Sequence, residues 1–367
     1  MITKRDFLKA AILLGSSTMV VRMQALAAPT SLSSSIYKMP DESEPHIRTW
    51  MAFGASKKIW GSKLLSEVQR NLASIANTIV EFEPVNMLVR EADLAIAKKL
   101  VNSKVKLIVF PLDDIWARDT GSVFVFDDMG RKAAIDFNFN GWGNKQAHAQ
   151  DTQVAQFMAE AAGVPRVSPR LVLEGGALEV DGQGTGLMTE SCILNDNRNP
   201  GLSKASVEAT LKPLLGLDKI IWLPGVKGKD ITDAHIDFYA RFVRPGVVVA
   251  GYEPDNSFDD HEITKTNIAL LKNANDAQGR KLVVHVLTGP ASIRDKYASD
   301  DFAAGYLNYY LCNGAVIATE FGDKKADDEA KRILEKLYPD RKVIQLNIDG
   351  IAAGGGGIHC VTQQEPA

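Results

Sequence analysis

The chain has 367 residues, 45% of them hydrophobic and 24% charged, with a formal net charge of −3. That is an ordinary soluble globular composition. It carries no basic stripe and no arginine-rich run, which argues against nucleic acid as a partner.

Lys4, Arg5 and Lys9 form a positive start, residues 10–21 are apolar, and Ala25-Leu26-Ala27 fits a small-x-small cleavage site. The order Thr3-Lys4-Arg5-Asp6-Phe7-Leu8-Lys9 resembles a twin-arginine signal with lysine in the first arginine's place. Residues 1–27 therefore read as a Tat-like export signal, and residues 28–367 as the mature domain. The apolar run is too short and polar to stay as a membrane anchor, and no other stretch could cross a membrane. The expectation is a periplasmic or secreted protein with no stable membrane association after cleavage.

After a polar lead-in over 28–47, residues 48–53 predict a strand. Leu64, Leu65, Val68, Leu72, Ile75 and Ile79 recur at helical spacing. Strand, helix and strand are expected over 85–89, 92–100 and 105–110. The loop Asp113-Asp114-Ile115-Trp116-Ala117-Arg118-Asp119-Thr120-Gly121 precedes strands over 122–126 and 133–139, joined by a turn at Asp128-Met129-Gly130. A helix near 147–162 leads to a strand over 170–174, the loop Glu174-Gly175-Gly176, and strands over 177–181 and 185–191. A helix near 203–215 leads to strands over 219–223, 235–243 and 246–251. A helix near 260–275 and a strand over 281–287 follow. Strands over 306–312 and 315–319 then pair across Asn313-Gly314. A helix near 324–337 and a strand over 342–347 lead to the run Gly354-Gly355-Gly356-Gly357.

The order helix, strand, loop, strand, strand recurs about five times at roughly 60–70 residues per unit, the mark of radial or solenoid repetition within one domain. Polar, glycine-rich loops fall at corresponding points of successive units, where a rigid scaffold usually carries its site. Of the three cysteines, Cys192 lies in an apolar, strand-like segment and Cys312 precedes an Asn-Gly turn, so both read as core cysteines. Cys360 follows the glycine run and is the candidate reactive thiol.

Four segments hold unusual polar groups: Trp116-Ala117-Arg118-Asp119, Glu174-Gly175-Gly176, His235-Ile236-Asp237 and Gly357-Ile358-His359-Cys360. His235 and Asp237, two apart on an expected strand, share a face. Each segment alone reads equally well as packing, capping or salt bridging. Together they offer one thiol, one proton-carrying histidine and three carboxylates. A cysteine hydrolase needs a thiolate and a histidine that gives and takes a proton. The carboxylates exceed that need and imply a cationic substrate, and a guanidinium is a planar fork that two carboxylates can grip.

Trp-x-x-Asp at 116–119, Glu-Gly-Gly at 174–176, His-x-Asp at 235–237 and the stretch from Gly354 to Gln364 form a linked set. With Met39-Pro40, Arg48-Thr49-Trp50-Met51 and Asn195-Asp196-Asn197-Arg198-Asn199-Pro200, that set resembles the agmatine deiminase and bacterial peptidylarginine deiminase family from about residue 38 to the C-terminus. The resemblance implies an α/β fold in a single domain, a five-bladed α/β propeller of ββαβ-type repeats (a pentein). It implies Cys360 as nucleophile, His235 as general acid and base, and Glu174 as the group that orients and polarises His235. Asp119 and Asp237 would hold the guanidinium, and Trp116 would lie along the aliphatic stem. Gly356 and Gly357 would give backbone clearance beside the flat cation, with His359 structural.

The implied reaction is hydrolytic deimination through a covalent S-alkylthiouronium. Agmatine is the leading substrate, peptidyl-arginine the alternative, and no metal or cofactor is required. The rivals are an amidinotransferase, an exported guanidine- or polyamine-binding protein, and a zinc site drawn from His235, Asp237, His359 and Cys360, whose spacing is not zinc-like. Homo-oligomerisation is left open.

Overall fold

The computed structural model describes residues 37–258, 260–299 and 301–367. The export signal read over 1–27 lies outside them. β1 (His46–Phe53), β2 (Val85–Val89) and β3 (Lys106–Val109) are parallel neighbours, joined through helices Lys57–Ile79 and Leu94–Leu100. Four units of one plan follow, each an antiparallel hairpin and then a helix that returns the chain to a parallel third strand. Their strands are β4 (Val123–Phe126), β5 (Lys132–Ile135) and β6 (Arg166–Val167), then β7 (Glu179–Val180), β8 (Thr185–Thr189) and β9 (Lys219–Leu223). Next come β10 (Ala240–Arg244), β11 (Val247–Tyr252) and β12 (Val283–Thr288), then β13 (Tyr310–Cys312), β14 (Ala315–Glu320) and β15 (Lys342–Asn347). The last strand, β16 (Thr362–Pro366), runs antiparallel to β1, with Met51 facing Thr362. Five small sheets result, one of them built from both ends of the described chain. This is the expected five-bladed α/β propeller.

Local chemistry accounts for the repeating unit. Cys312 pairs with Ala315 across the two-residue turn Asn313-Gly314, and Gly314 sits at φ 76°, the conformation that such a turn demands. Helix Lys324–Leu337 starts where the Asp323 carboxylate accepts from the Ala326 N–H. It buries Asp327, Ala330, Leu334 and Leu337, one face at helical spacing. In helix Lys57–Ile79, Val68, Leu72, Ile75, Ala76 and Ile79 do the same against β1, β2 and β14. Each such buried aliphatic side chain contributes about 1.5–3 kcal/mol. Among the described residues, no helix is long and apolar enough to cross a membrane.

Three expectations need correction. No strand forms over 170–174: the ladder stops at Arg166–Val167, flanked by Pro165 and Pro169, which cannot donate to it. The strand expected from 235 starts only at Ala240, because Asp233 and Ala234 take positive φ (61° and 73°) and the chain turns. His235 then caps a 3-10 turn, Ile236–Phe238, so His235 and Asp237 are not alternate residues of a strand. Cys192 lies in a short helix, Glu190–Ile193, instead of a strand.

Candidate active site

A 3-10 turn, His359–Val361, follows the glycine run and leaves Cys360 only 6% exposed. Asn308 frames it: its Oδ1 accepts from the Cys360 N–H at 3.3 Å and lies 3.5 Å from Sγ. The Asp237 Oδ2 is 3.9 Å from the same sulfur. Burial pushes the Cys360 thiol up, and the Asp237 and Asp119 carboxylates push it well above the usual cysteine range. These surroundings favour the neutral thiol over the thiolate.

His235, on the turn described above, faces two carboxylates. Its Nε2 is 3.1 Å from Glu174 Oε2, and its Nδ1 is 3.8 Å from Asp119 Oδ1. Burial would pull its pKa down, but the Asp119 charge and the hydrogen bond to Glu174 hold it well above the usual histidine range. The imidazole therefore rests in its charged form. Glu174 is fully buried and accepts two bonds from Arg198 Nε, at 2.8 and 3.0 Å. Burial alone would raise Glu174, but His235 and Arg198 keep it below its ordinary value.

The backbone makes room for this grouping at Gly176. Its N–H donates to Asp119 Oδ1 at 3.1 Å, and a Cβ there would lie 2.6 Å from His235 Nδ1 and 2.9 Å from Asp119 Oδ1. The other Asp119 oxygen accepts from Trp142 Nε1 at 3.0 Å. Burial lifts the Asp119 pKa; His235 opposes the lift, while Glu174 and Asp237 add to it.

Asp237 has no exposed surface. Its Oδ2 is 2.7 Å from His359 Nδ1, and its Oδ1 is buried with no partner. Burial raises its pKa, but His359, then His235 and Arg241, hold it below the ordinary value. A buried, ionised carboxylate oxygen with nothing to accept from is costly. It is the one feature of this cleft that calls for a cationic donor.

Aromatic rings wall the cleft. The Trp60 and Trp116 indoles both donate to Asp114, at 2.7 and 2.9 Å, and their rings lie 5.9 Å apart. Trp142 meets Trp116 edge-on at 6.4 Å. Burial pushes Asp114 up to about 6 against its bonds from Trp60, Gln146 and Trp116. A Cβ at Gly356 would lie 2.6 Å from Trp116 Cη2, and one at Gly357 would lie 2.8 Å from Asn308 Cβ. The run thus gives clearance first to the protein's own walls.

The structure therefore gathers Cys360, His235, Glu174, Asp119, Asp237, Trp116, Gly356 and Gly357 from four connections between strands of successive sheets. It pairs His359 with Asp237 and Glu42, away from His235, so the four residues weighed as zinc ligands do not converge. A different trio, Glu174, Cys192 and His235, brings donor atoms within 4.8 Å of one another. The Arg198 guanidinium already sits on that trio's carboxylate and opposes a second cation. Sequence reading missed Arg198, Trp142, Asn308 and Glu42 as parts of the site. Arg198 and Glu42 carried a signal as charged residues inside the quoted motif Asn195–Pro200 and beside Met39-Pro40. Asn308 and Trp142 carried none.

Comparison with known proteins gives a consistent picture. The family model for the Porphyromonas-type peptidyl-arginine deiminase matches residues 38–366. The agmatine deiminase of Stutzerimonas stutzeri is 37% identical over 357 residues, spanning 90% of this chain and 96% of that protein. The solved agmatine deiminase of Enterococcus faecalis superposes with a TM-score of 0.86 at 31% identity, covering 92% of this chain and 98% of the other. An agmatine deiminase of C. jejuni, solved with substrate bound, gives 0.80 at 26% identity, covering 90% and 96%.

Proposed function

The chain belongs to the Porphyromonas-type peptidyl-arginine deiminase family, and from that premise we propose that it hydrolyses agmatine to N-carbamoylputrescine and ammonia. The observation that carries this reading is the unpartnered, buried Oδ1 of Asp237 beside a thiol set between two carboxylates. A guanidinium bonded to Asp119 and Asp237 supplies the missing donor and brings its carbon to the sulfur. Its positive charge reverses the field that keeps Cys360 protonated, and the thiol proton is lost to water. The thiolate adds to the guanidino carbon. His235, charged beforehand, gives its proton to one nitrogen, which departs as ammonia and leaves the S-alkylthiouronium. Neutral His235 then takes a proton from water, and the hydroxide adds to the same carbon. Collapse breaks the C–S bond: the hydroxyl proton passes to the departing sulfur, which leaves the neutral ureido product, the Cys360 thiol and charged His235 as at the start. Arg198 keeps Glu174 ionised and in place behind His235 through both steps. Trp116 forms the wall for the aliphatic stem.

Agmatine is favoured over peptidyl-arginine because agmatine deiminases at 37% and 31% identity match along nearly their whole length, whereas the structure described as a peptidyl-arginine deiminase is 29% identical. The test compares ammonia release from agmatine, free arginine and an arginine-containing peptide, without an added amine acceptor. Release from agmatine alone is expected. No release without an acceptor would favour the amidinotransferase, and binding without turnover the binding protein. Cys360→Ser is expected to abolish release and keep guanidinium binding; substantial residual turnover would remove Cys360 from its role. We also propose that residues 1–27 direct export and are cleaved, a reading supported by Lys4-Arg5, the apolar run and Ala25-Leu26-Ala27. Intact-mass analysis of the periplasmic fraction that finds Met1 would refute it.

A further inference from the structure

We propose that Glu42 and His359 are positioning residues for the guanidinium clamp: Glu42 holds the His359 ring by one nitrogen, and His359 holds Asp237 by one oxygen, leaving the other oxygen for the substrate. The inference rests on Asp237 being a guanidinium ligand, as read above.

Glu42 comes from the lead-in segment before β1, far in sequence from everything it touches. Its Oε1 accepts from the Leu311 N–H and from Arg241 Nη2, both at 2.9 Å. Its Oε2 accepts from Arg118 Nη2 at 3.1 Å and from His359 Nε2 at 2.7 Å. The two arginines are themselves fixed. Arg118 bonds Gln364 Oε1 at 2.7 Å, and Arg241 bonds Glu179 Oε2 and the Tyr309 carbonyl, both at 2.8 Å. Four donors from four separate segments thus converge on one buried carboxylate, a group too well anchored to adjust to its neighbour. His359 adjusts to it instead.

With Glu42 fixed, the His359 ring has one orientation that reaches both carboxylates, at 2.7 Å on each side. Burial would raise Glu42, but Arg241, His359 and Arg118 hold it well below the carboxylate range, and Asp237 is also held low. Each ring nitrogen thus faces its own carboxylate oxygen. A ring bonded at both ends cannot turn without breaking a charge-assisted bond, so Asp237 Oδ2 is pinned and Oδ1 is the oxygen left over. The charged and titratable groups acting on Asp237 are His359, His235, Arg241, Asp119 and Cys360. Among them His359 holds it at 2.7 Å, and the Cys360 thiol reaches the same oxygen at 3.9 Å.

The test uses the full chain with Glu42→Gln, Glu42→Asp and His359→Asn. Glu42→Gln and His359→Asn are expected to lose about 10- to 100-fold in kcat/KM for agmatine, mostly through KM. The acid limb of kcat/KM against pH is expected to move to higher pH, because Asp237 ionises less readily without a charged partner. Glu42→Asp keeps the charge and is expected to keep the acid limb in place. A purely structural role would lower the melting temperature of all three without moving that limb. Crystal structures of the variants supply a readout free of turnover: the His359 ring and the Asp237 carboxylate should turn in Glu42→Gln and stay in place in Glu42→Asp. If the intact protein releases no ammonia from agmatine, the functional reading fails and these structures still decide the positioning. Folded variants with unchanged KM and acid limb, or a His359 ring and Asp237 carboxylate unmoved in Glu42→Gln, would overturn the proposal.

Discussion

Gly356→Ala tests whether the glycine run exists to clear the Trp116 wall. Two ring atoms of Trp116 would lie 2.6 and 3.3 Å from the new methyl, and a third is closer still. Carbon atoms at contact need about 3.5–4.0 Å, so the indole must retreat by roughly 1 Å. It has little freedom to do so, because Asp114 holds its N–H at 2.9 Å and Trp60 and Trp142 flank the ring. Overpacking of this kind costs about 1–3 kcal/mol, enough to lower the melting temperature by several degrees. A shift of about 1 Å at the substrate wall costs on the order of 100-fold in rate. Gly355→Ala is the control. Gly355 sits at φ 84°, and its Cβ would find nothing nearer than the Asp301 carbonyl at 3.7 Å. It bears a backbone penalty of about 1–2 kcal/mol and leaves the wall alone. Scanning calorimetry and steady-state ammonia release on both variants decide the matter. Equal stability loss is expected, with the rate loss confined to Gly356→Ala. A Gly356→Ala enzyme within about threefold of the parent in kcat/KM would refute the clearance argument.

Asp119→Asn should reduce kcat/KM by more than about 100-fold, with kcat and KM both affected, since the charge it removes touches substrate and His235 alike; an effect on KM alone would confine Asp119 to binding. Arg198→Met should destabilise the fold by about 3–5 kcal/mol by stranding Glu174, as read by chemical denaturation. A near-neutral result would mean that Glu174 had found another partner. His235 should contribute a pH-dependent stability. Its folded pKa is raised above the unfolded value, so the contribution is fully present below the ordinary histidine pKa and is lost as pH rises through the raised one. The stability gap between the parent and His235→Asn, from denaturant titrations, should therefore be widest on the acid side and narrow as pH increases; a gap that widens with pH would contradict the Asp119–His235–Glu174 geometry.

Element types were most legible where apolar spacing or a turn dipeptide was clear: helices Lys57–Ile79 and Lys324–Leu337 bury an apolar stripe, and Asn313-Gly314 closes its hairpin. Misreadings clustered where polar side chains, not apolar spacing, direct the backbone. The turn at His235 is set by Asp230 and Thr232: Asp230 accepts from the Thr232 N–H, and Thr232 Oγ1 accepts from the His235 N–H. Asp233 anchors the same turn through Lys145 and Arg198. No apolar period reports such a turn. His359 was read as structural, and its partners show what it holds: Glu42 lies 317 residues away in sequence, a pairing that no local pattern can signal. Cys192 looked like core and is core by burial, yet its thiol lies 3.7 Å from Glu174, directly behind the proton carrier.

The pairing of β16 with β1 has a bearing on how activity is born during synthesis. Thr362 opens β16 and stands two residues after Cys360, so the strand that completes the first sheet and the turn that presents the sulfur are consecutive. Every other strand is made earlier. Closure of so long a loop carries an entropic cost that grows slowly with length, and pairings this distant in sequence form late. A nascent chain can own four finished sheets with His235, Asp119 and Asp237 in place, yet lack the Cys360 sulfur. On the roles proposed above, deimination would begin only when this final pairing is made.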